Sequence, residues 1–79
     1  MDRHEFSLKL SELLEMTEPP AGAHRLEDLE EWDSFAVISF IAMVDETYKV
    51  RLSPKAIAEC QTVDDLAALI ERGPDNVRR

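Results

Sequence analysis

The chain has 79 residues, 44% of them hydrophobic and 33% charged; a domain this small buries only about 60% of its unfolded surface, so a large active-site cleft is not expected. Seventeen acidic residues against nine basic ones give a net charge of -8, a field that excludes phosphate-backbone binding to nucleic acid and favours basic protein partners. The lone cysteine, Cys60, cannot form an internal disulfide, residues 1–25 lack a signal-peptide pattern, and Asp45 and Glu46 interrupt the longest apolar run before the roughly 18 residues of a membrane span. A cytoplasmic protein without membrane insertion is expected.

The first helix is predicted from about Asp2 to Thr17. Phe6, Leu10, Leu13 and Leu14 recur at helical spacing, Asp2 is followed three residues later by Glu5 in the manner of a capping box, and Pro19-Pro20 supplies the stop. Glu18 to Asp33 is then a long connection with five acids between Glu27 and Asp33. Loops of that length in so small a domain are usually functional or mobile.

A second helix is expected to begin near Ser34 and end near Lys49. At about 100° per residue, Val37, Phe40, Ile41, Val44 and Tyr48 share a stripe assigned to the core. Phe35, Ser39, Ala42 and Glu46 take the opposite face, with Ile38 at its margin, and an outward Phe beside the serine is unexpected. Ser53-Pro54 is an N-cap followed by proline at the first helical position, so a short third helix runs from Pro54 to about Cys60. Thr62 and Asp65 form a second capping box, Val63, Leu66, Ala67 and Ile70 the buried face of a last helix, and Gly73-Pro74 its end. Asp75 to Arg79 is expected to fray. The pattern is all-α, a four-helix bundle with one short helix.

Few residues offer chemistry. His4, His24 and Cys60 lack zinc-ligand spacing and read as solvated histidines and a half-buried cysteine. Glu27, Asp28, Glu30, Glu31 and Asp33 lack the ligand alternation and turn glycine of a calcium loop and read as a solvated acidic surface. Ser34 has no G-x-S-x-G elbow around it and no evident base, so neither catalytic residues nor metal ligands are expected. Ser34 has two remaining readings. It is a helix cap, or it is an attachment point, since a phosphate esterified at a helix N-terminus is favoured by free N–H groups and the helix dipole.

Asp33-Ser34-Phe35 resembles the Asp-Ser-Leu motif of the acyl carrier protein family. The resemblance extends through LEDLEEWDSF before the second helix, FIAMVDETYKV through its end, LSPKAIAE at the third and TVDDLAALI at the fourth, with spacing from Ser34 to Thr62-Val63 that fits without gaps, and it covers nearly the whole chain up to Arg72. It implies a four-helix bundle of acyl-carrier type with a long first loop and a short third helix, occupying residues 1–72, with 73–79 as a flexible tail. It further implies that Ser34 receives 4′-phosphopantetheine from coenzyme A, that Asp33 is read by the phosphopantetheinyl transferase, and that acyl groups ride as thioesters on the cofactor's own thiol, leaving Cys60 uninvolved. Phe35, Ile38, Ala42 and Glu46 would face partner enzymes that activate, transfer or condense acyl groups. The protein would be a monomeric carrier and not an enzyme.

Three departures refine the expectation. Phe35 stands where the family usually has leucine, and Trp32 where many members have a small residue, and both enlarge the apolar surface around the arm. Residues 34–61 balance Asp45, Glu46 and Glu59 against Lys49, Arg51 and Lys55, whereas residues 1–33 hold ten acids and three bases. Ala36 and Ser39 occupy positions where carriers of central fatty-acid synthesis present acids. A carrier for a specialised pathway is therefore expected, such as polyketide, lipopeptide or modified-lipid assembly. An aminoacyl or peptidyl carrier is the nearest alternative, and an acidic interaction module without a prosthetic group is the alternative of a different class. Ala56, Ala58, Ala67 and Ala68 could pack closely or leave room for a sheltered chain.

Overall fold

The structure is a computed structural model that describes residues 2–73. The expected fraying of Asp75 to Arg79, and Pro74 as part of the last helix stop, lie outside those residues. Among the described residues four helices follow one another: α1 Arg3–Leu13, α2 Ser34–Tyr48, α3 Pro54–Ala58 and α4 Val63–Arg72, with a single 3-10 turn, Leu26–Asp28, inside the long connection. The predicted all-α architecture is the observed one. α1 packs on α2, α2 on α3 and α3 on α4.

α1 starts at the expected cap, with the Asp2 carboxylate accepting from the N–H groups of His4 at 2.9 Å and Glu5 at 3.4 Å, but the reciprocal Glu5 bond that would complete a capping box is not made among the described residues. It ends earlier than Thr17, and the prolines do not end it. Leu14 is the C-cap, Glu15 adopts a left-handed conformation with φ 58, and two bonds close the turn: Glu15 N–H to Glu12 O at 3.2 Å and Met16 N–H to Ser11 O at 2.9 Å. That pairing is a Schellman stop with glutamate at the position normally held by glycine. Left-handed backbone costs a side-chain-bearing residue about 1–2 kcal/mol, partly offset because glycine has more freedom to lose on folding. Glu15→Gly is accordingly expected to stabilise the fold by about 0.5–1 kcal/mol, raising the thermal midpoint by about 2–8 °C. A melt followed by circular dichroism checks this, and an unchanged or lower midpoint would contradict the strain assigned to Glu15.

The core joins Phe6, Leu10 and Leu14 to Phe40, Val44, Leu52 and Ile57, and to Val63, Leu66, Ala67, Leu69 and Ile70 of α4. Phe6 meets Phe40 edge-on, with ring centroids 6.1 Å apart at 77°, a favoured geometry for an aromatic pair. On α2 the buried line is Ala36, Phe40 and Val44, while the expected stripe members Val37, Ile41 and Tyr48 are only half-buried. The stripe is thus rotated from the predicted one. Ala36 is four residues before Phe40, directly beneath it on the helix, and is 6% exposed; it is not a surface position where a carrier would present an acid.

The two later caps match expectation. Ser53 Oγ accepts from Ala56 N–H at 3.1 Å to open α3, which ends at Ala58, two residues short of Cys60. Thr62 Oγ1 accepts from Asp65 N–H at 3.2 Å while the Asp65 carboxylate accepts from Thr62 N–H at 3.1 Å and Gln61 N–H at 2.9 Å. Gly73 closes α4 in a left-handed conformation with φ 57. The backbone donors hold the Asp65 carboxyl below its usual range, and Arg3, paired with Glu71 at 2.8 Å, does the same for Glu71. A depressed folded pKa means that the unfolded chain binds protons first. The stabilisation is therefore complete above the unfolded value of about 4 and is lost as pH falls through the lower folded value. Melting temperatures measured from pH 6 to pH 2.5 should drop more steeply in the wild type than in Asp65→Asn, and parallel curves would remove Asp65 as a source of acid sensitivity.

The long connection is fastened to the start of α4. Leu26 N–H donates to Gln61 O at 2.8 Å, Val63 N–H to His24 O at 3.1 Å and Asp64 N–H to Gly22 O at 2.9 Å. A Cβ at Gly22 would run into the Asp64 side chain, so the glycine permits this close approach. Leu26 and Leu29 are buried at 4% and 5% exposure. The segment is an anchored loop, not a free one.

Candidate functional site

The site is the joint between the connection and α2. Asp33 is the N-cap of α2, with extended backbone at φ -122 and ψ -174. Its Oδ1 accepts from Ala36 N–H at 2.8 Å, and its carbonyl accepts from Val37 N–H at 3.0 Å. The helix cap, one of the two readings of Ser34, is therefore Asp33. Ser34 is the first helical residue, exposed to solvent, and its hydroxyl makes no hydrogen bond among the described residues.

The other four serines of the chain are placed differently. Ser11 is buried and donates to Met16 O at 3.1 Å. Ser53 is half-buried and caps α3. Ser7 and Ser39 are half-buried on helices. Among the described residues, an exposed hydroxyl at a helix N-terminus and at the end of a loop is found at Ser34 alone.

Trp32 holds this joint against the core. Its ring packs edge-on against Phe40, centroids 5.5 Å apart at 74°, and its backbone N–H donates to Leu29 O at 3.0 Å. The sequence reading gave Trp32 to the apolar surface around the arm, but the side chain is half-buried and belongs largely to the packing. The spacing Leu26, Leu29, Trp32, one apolar residue in every three of an acidic run, is the signal by which these anchors could have been found.

Phe35 and Ile38 are 76% and 65% exposed, and Ala42 and Glu46 are exposed with them. Of the residues assigned to the outer face of α2, Phe35, Ala42 and Glu46 lie there, Ser39 is half-buried instead, and Ile38 belongs to the body of that face and not to its margin. Around the serine, Glu27, Asp28, Glu30, Glu31 and Asp33 are exposed, and Glu27 is paired with Arg25 at 3.2 Å. Carboxylates so placed give the end of the loop a negative field. Beside them an open cleft of about 210 Å³ separates the end of α1 from the start of α2, with Leu13, Phe35 and Ala36 on its walls.

His4 and His24 are exposed, and neither bonds to Ser34. Among the described residues no three histidine, cysteine or acidic side chains gather as a metal would require, and no helix is long and apolar enough to cross a membrane. Cys60 is half-buried with its Sγ donating to Ala56 O at 3.6 Å, and burial raises its thiol pKa, which makes it a poor nucleophile.

A family model described as "Phosphopantetheine attachment site" matches residues 8–70. Among solved structures the chain is similar to the solution NMR structure of the holo acyl carrier protein from Geobacter metallireducens, with a TM-score of 0.75 and 16% identity over 92% of this chain and 85% of that one. At that identity the likeness concerns the fold. No curated protein matches the chain.

Proposed function

Because the chain belongs to the phosphopantetheine attachment site family, and is thus a carrier of acyl groups held as thioesters on covalent 4′-phosphopantetheine, we propose that Ser34 is the residue that bears the arm. As a carrier and not a catalyst, it serves a phosphopantetheinyl transferase and acyl-transfer enzymes in general. The observation that carries the assignment is the capping of α2 by Asp33, which leaves the Ser34 hydroxyl exposed and unengaged. The residues present fit the group. Ser34 offers an accessible oxygen at the positive end of the α2 dipole, where an esterified phosphate is stabilised.

When bound, the arm supplies a thiol that carries the acyl group as a thioester. This chain's own part is to hold and present it. Asp33 fixes the first turn of α2 and, in our reading, is also read by the transferase. Phe35, Ile38, Ala42 and Glu46 form the contact for partner enzymes, apolar for three of four positions, with the loop acids steering the approach. An α2 face so poor in acids fits a carrier of a specialised pathway; that argument rests on the outer face and no longer on Ala36, which is buried.

Incubation with coenzyme A, magnesium and a broad-specificity phosphopantetheinyl transferase should raise the intact mass by one phosphopantetheine. Proteolytic mapping should then place the addition on the fragment that contains Ser34. An addition mapped to Ser7, Ser11, Ser39 or Ser53, or none to folded, initially unmodified protein, would overturn the assignment.

A further inference from the structure

We propose that Trp32 is a positioning residue for the loading of Ser34, acting through the Asp33 cap without touching the reacting atoms. The inference rests on the reading of Ser34 as the attachment point and deepens it. From Glu30 to Phe35 every side chain is exposed except that of Trp32. The segment between the last buried loop residue, Leu29, and the first buried residue of α2, Ala36, therefore has one side chain that ties it to the interior. That tie is aromatic and continuous with the core: Trp32 lies edge-on to Phe40, and Phe40, 0% exposed, lies edge-on to Phe6.

The position of the tie in the chain gives it its effect. Trp32 immediately precedes Asp33, whose carboxylate reaches Ala36 N–H only while the backbone enters the helix in the extended geometry observed. The short bond from Asp33 N–H to Glu31 O, 3.1 Å, closes a tight turn around Trp32. Without the indole, Glu30 to Asp33 keeps four exposed or truncated side chains and three carboxylates that repel one another, and nothing apolar returns it to the same entry angle. The cap and the first turn of α2 then exist for only a fraction of the time. A transferase that recognises the ordered joint meets its substrate at that reduced fraction, so the apparent affinity falls in proportion while the chemical step, once the complex has formed, is unchanged.

The test is steady-state loading of the full chain from coenzyme A by a broad-specificity transferase, read by intact mass, for wild type, Trp32→Ala and Trp32→Phe. Each is assayed well below its own thermal midpoint. Trp32→Ala is expected to raise KM for the carrier about tenfold with kcat within about twofold, as for a competent population near one tenth. Trp32→Phe, which retains an edge for Phe40, should return KM to within about threefold of wild type. Hydrogen exchange provides a readout independent of loading: in Trp32→Ala the Ala36 and Val37 amides should exchange faster, while Leu69 and Ile70 in α4 keep their protection. Should Trp32→Ala fail to fold, Trp32→Leu, which keeps an apolar peg without the ring, carries the comparison and is expected to lie between alanine and phenylalanine.

Wild-type KM in Trp32→Ala, a loss confined to kcat, equal losses in alanine and phenylalanine, or faster exchange spread evenly over α2 and α4 would each overturn the positioning role. A wild-type chain that is not loaded, or is loaded elsewhere than Ser34, overturns the attachment reading itself and this inference with it. The two failures are thus distinguishable in one experiment.

Discussion

Ser34→Ala is expected to abolish loading by the transferase entirely while leaving the thermal midpoint within about 3 °C of wild type. The first half follows from the absence of any other exposed serine. The second follows from the cap, because the N–H of Ala36 is satisfied by Asp33 at 2.8 Å and the Ser34 hydroxyl holds nothing in the fold. Alanine is also the better helix former at the first position of α2 by a few tenths of a kcal/mol. Asp33→Ala reverses the pattern of stability: loss of the cap costs about 1 kcal/mol, and an altered first turn slows loading without removing the acceptor. Intact mass and a pair of melts resolve both. If Ser34→Ala proved the more destabilising of the two, Ser34 would be a cap and the structural basis of the assignment would be lost.

Phe40→Ala is expected to destabilise the domain by about 3–5 kcal/mol, a large share of the 4–12 kcal/mol or so available to a chain of this size. Phe40 is 0% exposed, packs edge-on to both Phe6 and Trp32, and joins α1, α2 and the end of the long connection. Truncation leaves a cavity at that junction and breaks two aromatic pairs at once. The midpoint should fall by at least about 12 °C, and urea unfolding should move to correspondingly lower concentration. Phe35→Ala is the matched control, five residues earlier in the chain on the same helix but 76% exposed, and should change stability by no more than about 0.5 kcal/mol. Similar losses in the two variants would mean that the inner and outer faces of α2 are misassigned.

Much of this architecture was legible in the sequence because its signals are local. Ser53-Pro54 and the Thr62/Asp65 pair announce helix starts through side chains that bond within three residues, and α4 alternates apolar and polar residues cleanly enough for its buried face to be read directly. α2 is harder: Phe35, Ile38 and Ala42 make it apolar on its outer side too, so periodicity offers little contrast and the core stripe was read with Val37 and Ile41 in place of Ala36. The end of α1 was misread for a different reason. Nothing about glutamate marks a left-handed stop, whereas prolines four and five residues further on mark one conspicuously. The anchoring of the long connection depends on backbone bonds between residues 22–26 and 61–64, pairings between distant segments that no local pattern encodes. At the site, Asp33-Ser34 was readable as a motif, but which of the two caps the helix is a matter of a 2.8 Å bond.

The division of α2 into two faces also governs how such a chain can change over time. Phe35, Ile38, Ala42 and Glu46 are exposed and take no part in the core, so substitutions there fall in the class that alters stability only slightly. With that face as the partner contact we propose, partner preference can drift by single replacements along it, each leaving the folded population nearly intact. Such replacements require no passage through unfolded intermediates, while Ala36, Phe40 and Val44, one helical face away, stay fixed by packing.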